Sequence, residues 1–172
     1  MVQQHDYLGI VNAVIAQHHA IMGQVKLAEG HTNDLESLFT LQRAYSSWSQ
    51  SSMETLLHKQ NNLEEIRSTL QNGLERHFGF EEKYLPPLLG DLLLKSLAIT
   101  HHTILVQFTQ AKPVLANPQL PEMKQEDLLI YKLNVEQVVS QLCQAVDQHL
   151  NNEEVLLAML KMVLEKGEFK SS

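Results

Sequence analysis

Residues 74–82 of this 172-residue chain read LERHFGFEE, and residues 146–154 read VDQHLNNEE. Both stretches follow one pattern: an apolar residue, an acid, a polar residue, His, an apolar residue, two variable residues and Glu-Glu. In an α-helix, residues four positions apart lie on one face about one turn apart. Each stretch therefore predicts an imidazole beside a carboxylate, an arrangement that can grip one metal ion or an ion and its neighbour. The two pairs are His77 with Glu81 and His149 with Glu153.

Two histidine doublets precede these pairs, His18-His19 and His101-His102. Neighbouring residues point about 100° apart around a helix, so both members of a doublet cannot face a core equally. The positions four before, three after and seven after His18 are apolar, and the same three positions around His101 are apolar too. His19 and His102 instead share a face with lysines. We predict that His18 and His101 point inward and that His19 and His102 lie at the rim.

The chain then consists of two copies of one unit, a helix with one inward His followed by a helix with an HxxxE pair. A bundle would bring all six groups into its interior, where unpaired carboxylates cost several kcal/mol each. A metal centre would satisfy them. Mixed nitrogen and oxygen ligation with shared carboxylates suits iron or manganese, whereas zinc sites more often have four ligands and use thiolate. The predicted metal ligands are His18, His77, Glu81, His101, His149 and Glu153.

Glu82 and Glu154 directly follow the two predicted carboxylate ligands. Because they lie about 100° further round the helix, we expect them to be solvated or to orient a ligand through its N–H group. The single cysteine, Cys143, lies six residues before His149 and is expected to be a small buried residue.

The chain has only seven glycines and five prolines. Such a low content of helix-breaking residues favours long helices. The long helices are predicted at 6–29, 53–84, 91–111 and from 125 to beyond 154. Gly30 should end the first helix, with a shorter helix after it. The serine-rich 46–52 should be a break, and the proline-bearing 112–124 an extended crossing. A bend or break is expected near 151–156, because an unbroken last helix would be roughly 60 Å long, too long for this bundle. The fold prediction is all-α, an antiparallel up-down four-helix bundle with additional short helices, in a single domain over residues 1–172.

Composition and charge argue against several function classes. The formal net charge is −7, from 13 basic and 20 acidic residues. No Lys/Arg cluster stands out, which disfavours nucleic-acid binding and a basic membrane-surface helix. No apolar run is long enough to span a bilayer, and no signal-peptide pattern is visible. One cysteine allows no internal disulfide. We expect a cytoplasmic protein without a nucleic-acid or membrane partner.

The segment HFGFEE at 77–82 resembles the HFxxEE signature of the hemerythrin-like, or HHE cation-binding, family. The segment HLNNEE at 149–154 resembles its second copy, and the resemblance covers about residues 6–157. It implies a di-iron centre with an oxo or hydroxo bridge, with manganese or zinc as less favoured metals. His77 and His149 would be terminal ligands, and Glu81 and Glu153 would bridge the irons. His18 and His101 would complete one ligand set in each half.

Oxygen-carrying hemerythrins add a second His one turn away on the third helix, where this chain has Leu97 and Leu105. The resemblance therefore implies open coordination positions and a role in sensing or handling oxygen, nitric oxide or iron. One alternative is a di-iron oxidoreductase, either peroxidase-like or repairing iron centres. Another is a metal-free helical interaction module whose histidines form a hydrogen-bonded core. Metal ions, with dioxygen or nitric oxide, are the expected ligands, and no motif identifies a protein partner.

Overall fold

A computed structural model describes residues 4–45 and 47–167, and the side chains from Asp6 onward. This part of the chain contains no strand. Its helices pack with α1 against α2 and α4, and with α3 against α2 and α4. The predicted all-α helical bundle is confirmed. The elements are α1 (Gln4–Gln42), α2 (Gln50–Tyr84), α3 (Pro86–Leu115), a 3₁₀ helix (Leu120–Glu122) and α4 (Gln125–Glu165).

Helix α1 is longer than predicted, because it passes through Gly30 without a break and ends at Gln42. The predicted helix end at Gly30 and the separate short helix after it are wrong. Gly in a helix is about 1 kcal/mol less favourable than Ala. That penalty is small beside the burial of Leu35 and Phe39, which continue the apolar stripe beyond Gly30.

The connection from α1 to α2 lies close to the predicted serine-rich break. The Ser49 hydroxyl caps α2 by accepting a hydrogen bond from the backbone N–H of Ser52 at 3.1 Å. The Trp48 and Phe39 rings pack edge to face, with ring centroids 5.0 Å apart. Helix α2 ends at Tyr84, just before the two prolines, as predicted.

Helix α3 contains a kink at Gly90, whose φ of 71° and ψ of 167° are accessible to a residue without a side chain. A short helical segment from Pro86 precedes the kink, and the long part follows it, close to the predicted start. At its other end α3 continues through Pro113 to Leu115, so the crossing predicted at 112–124 begins four residues later than expected. The rest of it is a turn and the 3₁₀ helix instead of an extended segment. Burial of Leu115 and Leu120 keeps this connection compact.

Helix α4 is unbroken over 41 residues, so the predicted bend or break near 151–156 does not interrupt the helix. Its length is matched by α1, which has 39 residues and packs along it. The last turns of α4 bury Leu157 and Leu164 in an apolar group that we call the smaller cluster. The larger cluster extends from Ile21 on α1 to Leu150 on α4. The smaller cluster consists of Tyr7, Val11, Val14, Leu85, Leu89, Leu157 and Leu164, with partly buried Leu97 among the residues packed against it.

Within the described residues, none of the helices combines the length and the apolarity that crossing a bilayer requires.

Candidate metal centre

Every long helix carries a buried polar residue at the point where its apolar stripe passes from one cluster to the other. On α1, His18 separates Val14 of the smaller cluster from Ile21 of the larger one. The corresponding positions are Glu81 between Phe78 and Leu85, His101 between Leu97 and Ile104, and Glu153 between Leu150 and Leu157. A layer of polar side chains therefore crosses the bundle between two apolar layers.

All six residues predicted as metal ligands lie in this polar layer, and each is at most 5% exposed. His18 is completely buried and His101 is 2% exposed, whereas their neighbours His19 and His102 are exposed. The inward member of each doublet is thus the one that the apolar spacing predicted. Glu154 is exposed as well.

Glu81 lies between the imidazoles of three helices. Its Oε1 atom is 3.3 Å from Nε2 of His77 and 3.7 Å from Nε2 of His18. Its Oε2 atom is 3.3 Å from Nε2 of His101. The two oxygens of one carboxylate therefore face different histidines.

Glu153 repeats this arrangement from α4. Its Oε2 atom is 3.2 Å from Nε2 of His18 and 3.9 Å from Nε2 of His77. Its Oε1 atom is 3.2 Å from Nε2 of His149 and 3.6 Å from Nε2 of His101. Two groups of four potential ligands result, and both carboxylates belong to both groups. One group is His18, His77, Glu81 and Glu153, and the other is Glu81, His101, His149 and Glu153.

The four Nε2 atoms and four carboxylate oxygens of this layer are buried and have no hydrogen-bond partner among the described residues. Buried polar atoms in proteins are almost always partnered, so such a set requires an explanation. Ligand atoms about 2.1 Å from one ion and 90–110° apart lie roughly 3.0–3.5 Å from each other. Most of the nitrogen–oxygen separations in this layer are close to that range. The donor set therefore fits a metal centre.

The outward nitrogens of two imidazoles are held by other side chains. His77 Nδ1 lies 2.9 Å from the amide oxygen of Gln17, and His101 Nδ1 lies 2.8 Å from a carboxylate oxygen of Glu82. A proton on Nδ1 donates to these acceptors and leaves the Nε2 lone pair facing the centre. Glu82 thus has the orienting contact that was one of its two expected roles. Gln17 was missed by sequence reasoning, because an uncharged residue next to His18 carries no pattern of its own.

Without a metal, the imidazoles and carboxylates of this layer shift one another's pKa values. Burial lowers the pKa of His18, but Glu153 and Glu81 more than offset this and raise it to about 9. The pKa of His101 also rises to about 9, for the same reasons and with Glu82 contributing. Burial lowers the pKa of His149. The pKa of Glu153 falls far below its usual range despite burial, because His101, His18 and His77 surround it. Near neutral pH a carboxylate is thus anionic inside the core, a strong attraction for cations.

We expect the metal-free protein to lose stability as pH rises from 6.5 to about 9. Raised folded-state pKa values of His18 and His101 contribute stability that is fully present below 6.5 and lost as pH approaches 9. The low pKa of Glu153 contributes stability that is fully present above about 4.5 and decreases only at lower pH, so this contribution is constant between pH 6.5 and 9. The urea concentration at the unfolding midpoint of the metal-free protein should therefore fall as the pH is raised from 6.5 to 9.

Metal-loaded protein is the control for this pH series. Bound metal requires neutral imidazoles and takes the place of their protons. The stability of the metal-loaded protein should therefore not fall between pH 6.5 and 9. A metal-free midpoint that rises between pH 6.5 and 9 would contradict the assignment of protons to His18 and His101.

Comparison of the chain with models of known families, with curated proteins and with solved structures found no match in any of the three.

Proposed function

We propose that this chain is a metal-binding protein whose bundle holds two iron ions, as in the hemerythrin-like, HHE cation-binding proteins that its motifs resemble. The observation that carries the proposal is the sharing of both carboxylates by two imidazole pairs. Glu81 and Glu153 each direct one oxygen towards His18 and His77 and the other towards the opposite group. Shared carboxylates of this kind are typical of dinuclear sites in helical bundles. With imidazole nitrogen as the second donor type, they favour iron over a single zinc ion.

The succession of apolar clusters along the chain supports the antiparallel up-down topology of that family. Helices α1 and α3 run from the smaller cluster to the larger one, and α2 and α4 run from the larger to the smaller. This order of clusters is the one that an alternating direction of successive helices would produce. Short connections between the helices fit such an arrangement.

The surroundings of the centre support a role in sensing or handling small molecules such as oxygen or nitric oxide, or iron itself. Two imidazoles and two shared carboxylates give each ion four protein ligands, which is fewer than iron accepts. Leu97 and Leu105, one turn either side of His101, supply no further donor. Phe78 is buried and stacks on the His101 ring with centroids 3.9 Å apart and an interplanar angle of 3°, so it covers one face of that ring. Bound iron would supply one-electron redox chemistry and open positions for small ligands.

Two measurements test this function. Anaerobic reconstitution should give about two iron ions per chain by elemental analysis, as the two ligand groups require. The reduced protein should then change its visible spectrum on addition of nitric oxide or oxygen, and recover when the gas is removed or reductant is added. A reconstituted protein without iron would refute the proposal. Sustained consumption of peroxide over many turnovers would instead identify an oxidoreductase.

A further inference from the structure

The two ligand groups have the same inward donors but different outward partners. On one side, His101 Nδ1 contacts the Glu82 carboxylate at 2.8 Å. On the other side, His77 Nδ1 contacts the Gln17 amide oxygen at 2.9 Å. One imidazole therefore donates to an anion and the other to a neutral group of similar size and reach.

The internal repeat of the sequence would predict equivalent outward partners in the two halves, and the structure does not have them. Glu154 follows Glu153 as Glu82 follows Glu81, so the repeat would pair Glu154 with His18 as Glu82 pairs with His101. Instead Glu154 is exposed, and Nδ1 of His18 is buried without a hydrogen-bond partner. The two halves of the chain thus repeat their ligands but not the groups that hold those ligands.

A hydrogen bond from Nδ1–H to a carboxylate is stronger than one to an amide oxygen, and it draws the proton away from the ring. The Nε2 atom of that ring then donates more electron density to a metal ion. Glu82 is 44% exposed, so solvent screens its long-range field. The direct hydrogen bond to the buried His101 is much less affected by this screening.

On the side of His18 and His77, a positively charged side chain disfavours the ferric state. Arg76 lines the cleft between α1 and α2 that also contains Gln17 and His77. A cation there disfavours added positive charge on a nearby ion, although its exposure makes this the smaller effect. Both contributions favour the more oxidised ion on the side of His101.

We propose that the two metal positions are electronically distinct, and that Glu82 makes the His101–His149 position the one that favours the ferric state. Gln17 leaves the His18–His77 position easier to reduce. Glu82 and Gln17 are positioning residues, since each acts through an imidazole and not on the metal. This inference rests on the proposed di-iron centre.

A set of conservative substitutions tests it on the full-length iron-loaded protein. Spectroelectrochemical titration should give two one-electron steps in the wild type. Glu82→Gln should raise the lower reduction potential by about 59 mV, which corresponds to a tenfold change in the equilibrium constant of that one-electron step. The difference between the two reduction potentials should therefore become smaller. Gln17→Glu should also make this difference smaller, because it should lower the higher reduction potential. The double substitution should restore a separation close to that of the wild type, because the two acceptors are exchanged.

Glu154→Gln is the matched control, because Glu154 holds the equivalent position in the repeat but makes no hydrogen bond with Nδ1 of His18. It should leave both potentials unchanged. If every protein binds two irons but Glu82→Gln behaves like Glu154→Gln, this inference is overturned while the di-iron centre remains. If the wild type binds no iron, the proposed function itself fails. Urea unfolding of each variant separates a general loss of stability from a shift in potential.

Discussion

Replacing His18 with Ala is expected to remove at least one of the two proposed irons, whereas His19→Ala is expected to leave both in place. His18 is fully buried, with Nε2 3.2 Å from Glu153 and 3.7 Å from Glu81. His19 is its immediate neighbour and is exposed. Ala has the highest helix propensity, so neither change should disturb α1 through its backbone. Iron content by elemental analysis should fall from about two per chain to about one or less in the first variant only.

The second doublet provides an independent repetition on another helix. His101→Ala should lower iron content, and His102→Ala should not, because only His101 is buried against Glu81 and Glu153. Loss of an orienting group alone typically lowers metal affinity 10- to 100-fold, and loss of a ligand should lower it further. Circular dichroism shows whether each variant stays helical. Equal iron content in folded variants of both members of a doublet would contradict the assignment of the ligands.

The candidate ligands could be predicted because they depend only on local geometry. An i,i+4 spacing fixes which side chains share a helix face, and apolar flanks fix which face is buried. His77 and Glu81 are therefore adjacent in any helix, whatever the bundle around them. The choice of His18 over His19 follows from the same reasoning, applied to the residues three, four and seven positions away.

What could not be predicted depends on contacts between distant parts of the chain. Helix α1 passes through Gly30 because Leu35 and Phe39 find buried positions, which no local propensity reveals. The bend or break expected near 151–156 assumed that an unbroken α4 would be too long for the bundle, but α1 is nearly as long. The contact between Gln17 and His77 joins residues 60 positions apart. Only the packed bundle brings those two side chains together.

Removing the metal is expected to destabilise the bundle, and replacing all six ligands with apolar residues is expected to restore the stability without the metal. Bound metal at about a thousand times its dissociation constant adds about 4 kcal/mol to the free energy of unfolding. Without it, buried nitrogen and oxygen atoms remain without hydrogen-bond partners, at about 1–3 kcal/mol each where no shared proton compensates. The proposed variant combines His18→Leu, His77→Leu, His101→Leu, His149→Leu, Glu81→Met and Glu153→Met.

Leu and Met are close in volume to the residues they replace, and replacement of buried ionic groups by packed apolar ones is often neutral or stabilising by about 1–4 kcal/mol. The variant would join the larger and smaller clusters into one continuous core. Urea unfolding should therefore rank metal-loaded wild type and the variant above metal-free wild type, and a chelator should affect only the wild type. If the chain were instead a metal-free helical interaction module, the order of stability would be different. Its imidazoles and carboxylates would stabilise one another, so a chelator would change nothing and the variant would be the least stable of the three.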